Sequence, residues 1–251
     1  MIKKNIFLIF LFSVCFVAAS FAAQGTELEK EYYLILDSWI NNESGLDAML
    51  GKISGFETEL GEKSDDREVL YWQSRASFLK AQVYYDQKEK KLSIKELEEC
   101  LDSAKKANEI RTGGDILGVM AEANSLLMLL EDFFYIVANY KLPTQQARSA
   151  LDLDPDNSKA SFVLAQFLCN APPIAGGDLQ EGLDILLKLS RRQDLRDSDR
   201  FFALQSLAEV YKDNKRLSEA LDACLRALEL YPMNMKCRKL LSELKQENYL
   251  K

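Results

Sequence analysis

Apolar residues recur along most of this 251-residue chain at the three- and four-residue spacing of an amphipathic helix. The stripe that begins at Leu28 and ends at Ile40 is typical, and similar stripes follow as far as Leu244. Polar or glycine-containing breaks separate them, as at residues 41–45 and 61–66. With only 5 prolines and 11 glycines in the chain, little interrupts a helix within each stripe. The pattern therefore predicts an all-α protein.

The most regular stretch, residues 201–234, predicts a helical hairpin. A polar turn at residues 213–216 separates two helices, and Pro232 prevents the second from continuing. Small side chains at Ala208 and Ala220 would let the two helices cross closely. The positions that have the spacing of a tetratricopeptide repeat are Leu204, Leu207, Ala208, Tyr211, Ala220, Cys224, Ala227 and Pro232. The stretch resembles the tetratricopeptide-repeat (TPR) family, which implies a right-handed superhelical stack of helix-turn-helix hairpins.

The ending of this hairpin has a second copy upstream. Residues 150–157, ALDLDPDN, closely match residues 227–234, ALELYPMN. The distance between them leaves room for one further repeat that is longer than the family's roughly 34 residues. Residues 23–251 are therefore predicted to form one helical domain with divergent N-terminal helices (26–60), a degenerate repeat (67–110), a TPR-like repeat whose first helix covers 116–140 (116–157), a TPR-like repeat with an expanded turn (158–200), the clear repeat (201–234) and a capping helix (234–248).

The expanded turn distinguishes the repeat over 158–200 from the family's pattern. Residues 170–178 read NAPPIAGGD, in which two prolines stop the first helix and Asp178, with Glu181, caps the next. This turn and the DPDN ending give residues 120–190 a weaker resemblance to the TPR subunits that accompany the periplasmic binding proteins of TRAP-type transporters. That resemblance implies an accessory role in the transport of a small solute.

The first residues predict a secretory signal peptide rather than part of the fold. Two lysines precede an apolar run, and small residues follow it, with cleavage expected after Ala22. We therefore predict a leader over residues 1–22 and an exported protein, periplasmic or secreted. An uncleaved anchor stays open, although the run is short of the roughly 20 residues that a membrane-spanning helix needs. Lipidation of Cys15 is a further alternative, which is disfavoured because Val14 stands where such signals need a small residue.

Composition excludes several kinds of chemistry. The chain contains no histidine, which removes Ser-His-Asp and Cys-His catalysis and histidine metal sites. Carboxylates are scattered along helix surfaces and suggest no acid/base pair. We therefore predict no catalytic residues, no metal site, no cofactor and no enzyme activity. Lys and Arg number 32 against 39 Asp and Glu, so nucleic acid, which favours basic surfaces, is not an expected partner.

Four cysteines follow the predicted leader, and none forms a C-x-x-C pair. Export would permit a disulfide, and Cys224 and Cys237 are the best placed to form one because a short turn joins their helices. A simpler interpretation is also open. Cys100 and Cys224 occupy apolar positions of their helices, as small buried side chains do.

The binding surface follows from the resemblance, because the first helix of each TPR hairpin lines the concave face of the stack. Side chains of these helices that the core does not use are predicted to face a groove: Phe78, Tyr85, Asp132, Tyr135, Phe162, Gln166, Asn170, Gln205, Glu209 and Lys212. Aromatic rings beside polar amides suit a peptide, a helix or a small apolar ligand. The alternative is that Phe78, Tyr135 and Phe162 belong to the core.

Two functional hypotheses follow. The first is an exported, non-catalytic TPR protein that mediates protein–protein interaction in the periplasm or cell envelope. The second is a transport accessory of the TRAP type, which binds or passes a small ligand together with a periplasmic binding protein. The expected partner is another periplasmic or envelope protein, with a solute-binding protein among the candidates, and association with further copies of the chain stays open.

Overall fold

The computed structural model describes residues 27–63 and 66–249, in which every regular element is helical and none is a strand. The predicted leader, Cys15 and Thr26 lie outside the described residues. No helix in the described part is long and apolar enough to cross a bilayer. The helices are α1 (27–40), α2 (Leu46–Gly61), α3 (Arg67–Asp86), α4 (Lys90–Ile110), α5 (Gly114–Leu130), α6 (Phe133–Asn139), α7 (Leu142–Leu153), α8 (Ser158–Asn170), α9 (Leu179–Arg191), α10 (Asp197–Asp213), α11 (Leu217–Leu230) and α12 (Met235–Tyr249).

The helices pack in neighbouring pairs, which confirms the all-α prediction. α3 pairs with α4, α5 with α7, α8 with α9, and α10 with α11. The second helix of each pair also contacts the first helix of the next, and successive first helices touch one another. α3, α5, α8 and α10 therefore form one continuous row. The described part of the chain is consequently a stack in which each pair buries apolar faces against its neighbours.

The repeated ending of the hairpins has a capping role. Asn157 of the DPDN segment accepts a hydrogen bond from the backbone N–H of Ala160 at 2.9 Å. Asn234 of the second copy accepts one from the N–H of Cys237, also at 2.9 Å. Each asparagine satisfies an otherwise unpaired donor in the first turn of the following helix. Because an asparagine ends both copies, each copy is followed directly by the start of a helix.

The eight positions of the repeat signature occupy the junction of α10 and α11. Seven of them are buried, and Ala208 and Ala220 are fully so, at the positions where a close crossing needs small side chains. Pro232 is the exception, since it is exposed in the turn after α11. Cys224 and Cys237 are free, buried thiols, and the Cys224 Sγ donates to the Cys237 carbonyl oxygen at 3.2 Å. Cys100 is also a buried free thiol, whereas Cys169 is half-buried.

The N-terminal helix α1 does not extend the stack but lies against its row of first helices. On one side the ring of Tyr32 contacts that of Trp72 on α3, with centroids 5.3 Å apart. On the other side Trp39 contacts Phe202 on α10, with centroids 6.4 Å apart. α1 thus occupies the groove that the sequence predicts to be open for a partner.

The end of α1 is fastened to the turn between α11 and α12. The Asn234 side chain donates to the carbonyl oxygen of Ile40 at 2.6 Å. The side-chain oxygens of Asn41 and Asn42 accept from the backbone N–H groups of Met233 and Met235 at 2.9 and 2.8 Å. These contacts join the two ends of the described chain across more than 190 residues of sequence.

One predicted helix and one predicted connector are wrong in extent. The helix expected over 116–140 breaks after Leu130, because Glu131 is extended and the Asp132 side chain caps a new short helix through the N–H of Tyr135. The apolar side chains of that short helix had suggested continuation. The charged residues 191–200 predict a connector, but α10 already begins at Asp197, so the connector is shorter than its sequence predicts.

The expanded turn between α8 and α9 requires its two glycines. Gly176 has a φ of 93°, which side-chain-bearing residues rarely adopt. A Cβ atom on Gly177 would lie 1.8 Å from the carbonyl oxygen of Ala171, so only glycine fits there. Asp178 then caps α9 by accepting from the N–H of Glu181 at 3.0 Å, as the sequence predicts.

Replacing Ala208 with leucine should destabilise the protein. The added side chain would overpack the buried contact between α10 and α11, at a cost of about 1–3 kcal/mol. For a chain of this size that cost lowers the melting temperature by roughly 2–4 °C per kcal/mol. Glu209→Leu adds a leucine at the neighbouring exposed position and should melt close to the wild type. Equal melting temperatures for Ala208→Leu and wild type would contradict the packing described above.

Candidate ligand cavity

A cavity of about 530 Å³ lies between α1 and the row of first helices. α1 contributes Tyr33 and Leu36, and α3, α5, α8 and α10 contribute the opposite walls. Residues at the start of α7 complete the lining. The cavity exists because α1 covers the row without filling it. It is the feature of the described residues that best suits a ligand.

Most of the wall is apolar. Five different helices contribute apolar side chains to it. The apolar side chains central to it are Phe78, Leu126, Phe162, Val163, Leu189 and Phe202. Phe162 and Phe202 are in contact, with ring centroids 6.4 Å apart. Such a surface favours a ligand with an apolar body, because burying that body removes it from water.

One buried ion pair stands at the inner end of the cavity. Arg75 on α3 is only 4% exposed and pairs through a guanidinium nitrogen with the carboxylate of Glu122 on α5. Its guanidinium also lies 5.4 Å from the ring centre of Tyr32. Burial alone would lower the pKa of Arg75, but Tyr32 and Glu122 outweigh it and hold that pKa well above its usual value. The arginine is therefore a fixed positive charge.

A second pair of charges lies at the start of α8 and α10. The Lys159 Nζ is 4.0 Å from the Asp199 Oδ1, and Ser158 donates to the Asp199 Oδ2 at 2.9 Å. Burial opposes the charge on Lys159, but Asp199, Tyr33 and Tyr71 raise the pKa of the ammonium above its usual value. Lys159 is therefore protonated at neutral pH.

Polar amides mark the other end of the cavity. The Gln166 side chain donates to the Ser206 hydroxyl at 2.5 Å, which fixes its orientation. Asn170 donates to the Gln166 backbone carbonyl at 2.7 Å and to its side-chain oxygen at 3.2 Å. Since Lys159 begins α8 and Asn170 ends it, the cavity runs along the length of that helix. Its two ends therefore differ, one being charged and the other being neutral and polar.

Four of the ten side chains that the sequence assigns to a groove line this cavity: Phe78, Phe162, Gln166 and Asn170. The alternative of a core position also holds in part for Phe78, which is buried as well as lining the cavity. Tyr135 packs against the apolar cluster around Phe78 and Leu127 instead. Tyr85 is exposed beyond the cavity wall, and Asp132 is the cap of α6.

The three residues assigned to α10 also lie away from the cavity. Gln205 donates to Glu209 at 3.0 Å on the surface of the helix. Lys212 pairs with Glu243 on α12. The prediction placed these side chains in an open groove, but Phe202 and Asp199, three to six positions earlier, are the α10 residues that reach the cavity.

The sequence reasoning missed the four charged residues of the cavity. Arg75, Glu122, Lys159 and Asp199 resemble the many charges on helix surfaces, and no motif contains them. One local signal was present. Glu122 stands between two alanines, and Arg75 and Lys159 each precede one, so small neighbours flank charges that face inwards. Among the described residues no group of His, Cys, Asp and Glu is arranged to hold a metal ion.

Comparison with known proteins does not assign the chain to a family. No protein-family model matches the chain, and a search of curated proteins found no similar one.

Replacing Glu122 with glutamine should destabilise the fold strongly. The substitution keeps the shape but leaves the buried Arg75 charge unpaired, at an expected cost of about 3–5 kcal/mol. Urea denaturation measures this as a lower midpoint with an unchanged slope. The matched control is Asp102→Asn, which breaks an exposed ion pair with Lys106 and should be indistinguishable from wild type. A Glu122→Gln midpoint equal to that of Asp102→Asn would contradict a buried, interacting pair.

Proposed function

We propose that this protein is a non-catalytic binding protein that encloses a small molecule with an apolar body. The cavity between α1 and the row of first helices is the observation that carries the proposal. Its volume of about 530 Å³ lies within the roughly 300–1,000 Å³ of small-ligand sites. An extended peptide or helix would need the open groove, and α1 already occupies it. A small ligand is therefore the better match for this geometry.

The repeat type and the location belong to the same proposal. Helices packed in pairs, capping asparagines after two hairpins and the buried signature of α10 and α11 support TPR-type repeats in a right-handed superhelix. The leader pattern of residues 1–22 supports export to the periplasm or beyond. A ligand cavity together with the expanded turn supports the accessory role, in which a periplasmic binding protein of the TRAP type is the partner.

Reducing the cavity volume tests ligand binding. Ser125 lines the cavity from α5, so Ser125→Phe should fill part of it and weaken binding of the apolar fluorophore N-phenyl-1-naphthylamine at least tenfold. Ser125→Ala removes only the hydroxyl and should bind the fluorophore as wild type does. Fluorescence titration gives both affinities, and the melting temperatures show whether each variant is folded. Unchanged binding by a folded Ser125→Phe variant would contradict the proposed site.

A second candidate function, protein–protein interaction, is favoured by an exposed apolar edge. Phe133 and Phe134 on α6 are 71% and 81% exposed. Leu129, Val137 and Tyr140 are exposed nearby in sequence. Leu129 and Tyr140 also line the cavity, so this edge adjoins the ligand site. Contiguous exposed apolar side chains of this kind mark interaction sites on soluble proteins.

Photo-crosslinking in the producing cell tests the apolar edge. Replacing Phe134 with p-benzoylphenylalanine should give, on irradiation, one discrete adduct of higher mass, because this side chain would lie in the interface. The matched control carries the crosslinker at Ile110, an exposed apolar position at the end of α4. The same adduct from both positions, or none from position 134, would contradict a partner at this edge.

A further inference from the structure

The Lys159 ammonium has unused hydrogen-bonding capacity. Its carboxylate partner among the described residues, the Asp199 Oδ1, is 4.0 Å away, which is beyond hydrogen-bond distance. The other oxygen of Asp199 is already engaged by the Ser158 hydroxyl. An ammonium carries three N–H donors, and a ligand that displaces water from the cavity must offer acceptors to them or lose free energy. A ligand that supplies acceptor oxygens at this point would remove that cost.

The two carboxylates of the cavity do not offer a matching site for a positively charged ligand, because both are already paired. Glu122 is engaged by Arg75, and Asp199 by Ser158 and Lys159. Two positive and two negative side chains are present, but the donors are less satisfied than the acceptors. The buried Nε of Arg75 also has no hydrogen-bond partner among the described residues, which adds to the excess of donors. The charged end therefore favours an acceptor over a donor.

The helix that carries Lys159 strengthens this preference. Ser158 and Lys159 are the first residues of α8, where the backbone N–H groups and the helix dipole favour negative charge. From Lys159 the cavity follows α8 as far as Asn170, which corresponds to about 16–17 Å at 1.5 Å per residue. That length is comparable to an extended medium-length alkyl chain. The wall along it is formed by Phe78, Leu126, Phe162 and Phe202.

We propose that the cavity binds an apolar monocarboxylate whose carboxylate accepts hydrogen bonds from Lys159 and whose body lies along α8. This inference rests on the proposed small-ligand function and specifies its ligand class. Tyr33 and Leu36 of α1 close the cavity over the chain. The neutral amides Gln166 and Asn170 line the cavity at the other end of α8. The ligand would thus enter with its carboxylate first.

A matched series of ligands tests the class directly. Decanoate, decanol and decylammonium share one alkyl chain and differ in the head group, and calorimetric titration against the full chain gives their affinities. Decanoate should bind about 10–100-fold more tightly than decanol, the value of one charge-assisted interaction. Decylammonium should bind more weakly than either, because it places a like charge beside Lys159. Equal affinities for decanoate and decanol, or tighter binding of decylammonium, would overturn the inference.

Two variants test whether the preference for decanoate over decanol depends on Lys159 and Asp199. Lys159→Met should lose the preference for decanoate over decanol, while decanol binds as before. Asp199→Asn should bind decanoate more tightly, because it removes the carboxylate that lies 4.0 Å from the Lys159 Nζ. An undiminished decanoate preference in folded Lys159→Met would overturn the role of Lys159. If that variant does not fold, the ligand series on wild type and the direction of the Asp199→Asn effect decide the question.

The same titrations separate this inference from the proposed function. Binding of all three ligands with one affinity would retain a small-ligand cavity and reject the carboxylate. Binding of none of them, together with no fluorophore binding, would reject the cavity as a ligand site and the carboxylate with it.

Discussion

The structure depends on the packing of α1 against the row formed by α3, α5, α8 and α10. A stack of helical hairpins exposes the first helices of its pairs on one face, and their apolar side chains need cover. α1 supplies that cover through Tyr32, Trp39 and their aromatic neighbours. α1 is narrower than the surface formed by these four helices, so part of that surface is left uncovered beside it. The cavity is the space left there, so the site exists only while α1 is in place.

The charges in the cavity carry a cost that the fold alone does not explain. Burying Arg75, Glu122 and Lys159 forfeits hydration, and pairing recovers only part of it. In the proposed function, a ligand that accepts hydrogen bonds from Lys159 would offset part of this cost. Stability of the empty protein and affinity for such a ligand would then oppose each other.

Much of the fold could be predicted because hairpin stacking leaves a strong imprint on the sequence. The burial of Ala208 and Ala220 and the capping of α9 by Asp178 follow from periodicity and turn residues. The break at Glu131 could not be predicted, because the apolar residues after it continue the helical spacing although they lie on the surface. Periodicity reports which side chains are apolar and does not report what covers them.

The site was harder to predict because it depends on contacts between distant parts of the chain. Phe78 and Phe162, which the sequence assigns to a groove because they belong to first helices of regular pairs, do line the cavity. The position of α1 could not be predicted, because nothing in residues 27–40 distinguishes a helix that covers the stack from one that extends it. Arg75 and Glu122 are 47 residues apart, and only the stacking of α3 on α5 makes them partners.

The contacts of Asn41 and Asn42 with the turn at Met233–Met235 affect how cooperatively the helical pairs unfold. An open array of repeats behaves as a line, in which the last unit can detach without disturbing those further away. Here the first helix holds the last turn, so the described chain has no free end unit and approaches a closed loop. Its repeats should then melt together rather than fray one by one, and the cavity should disappear with the whole fold and not before it.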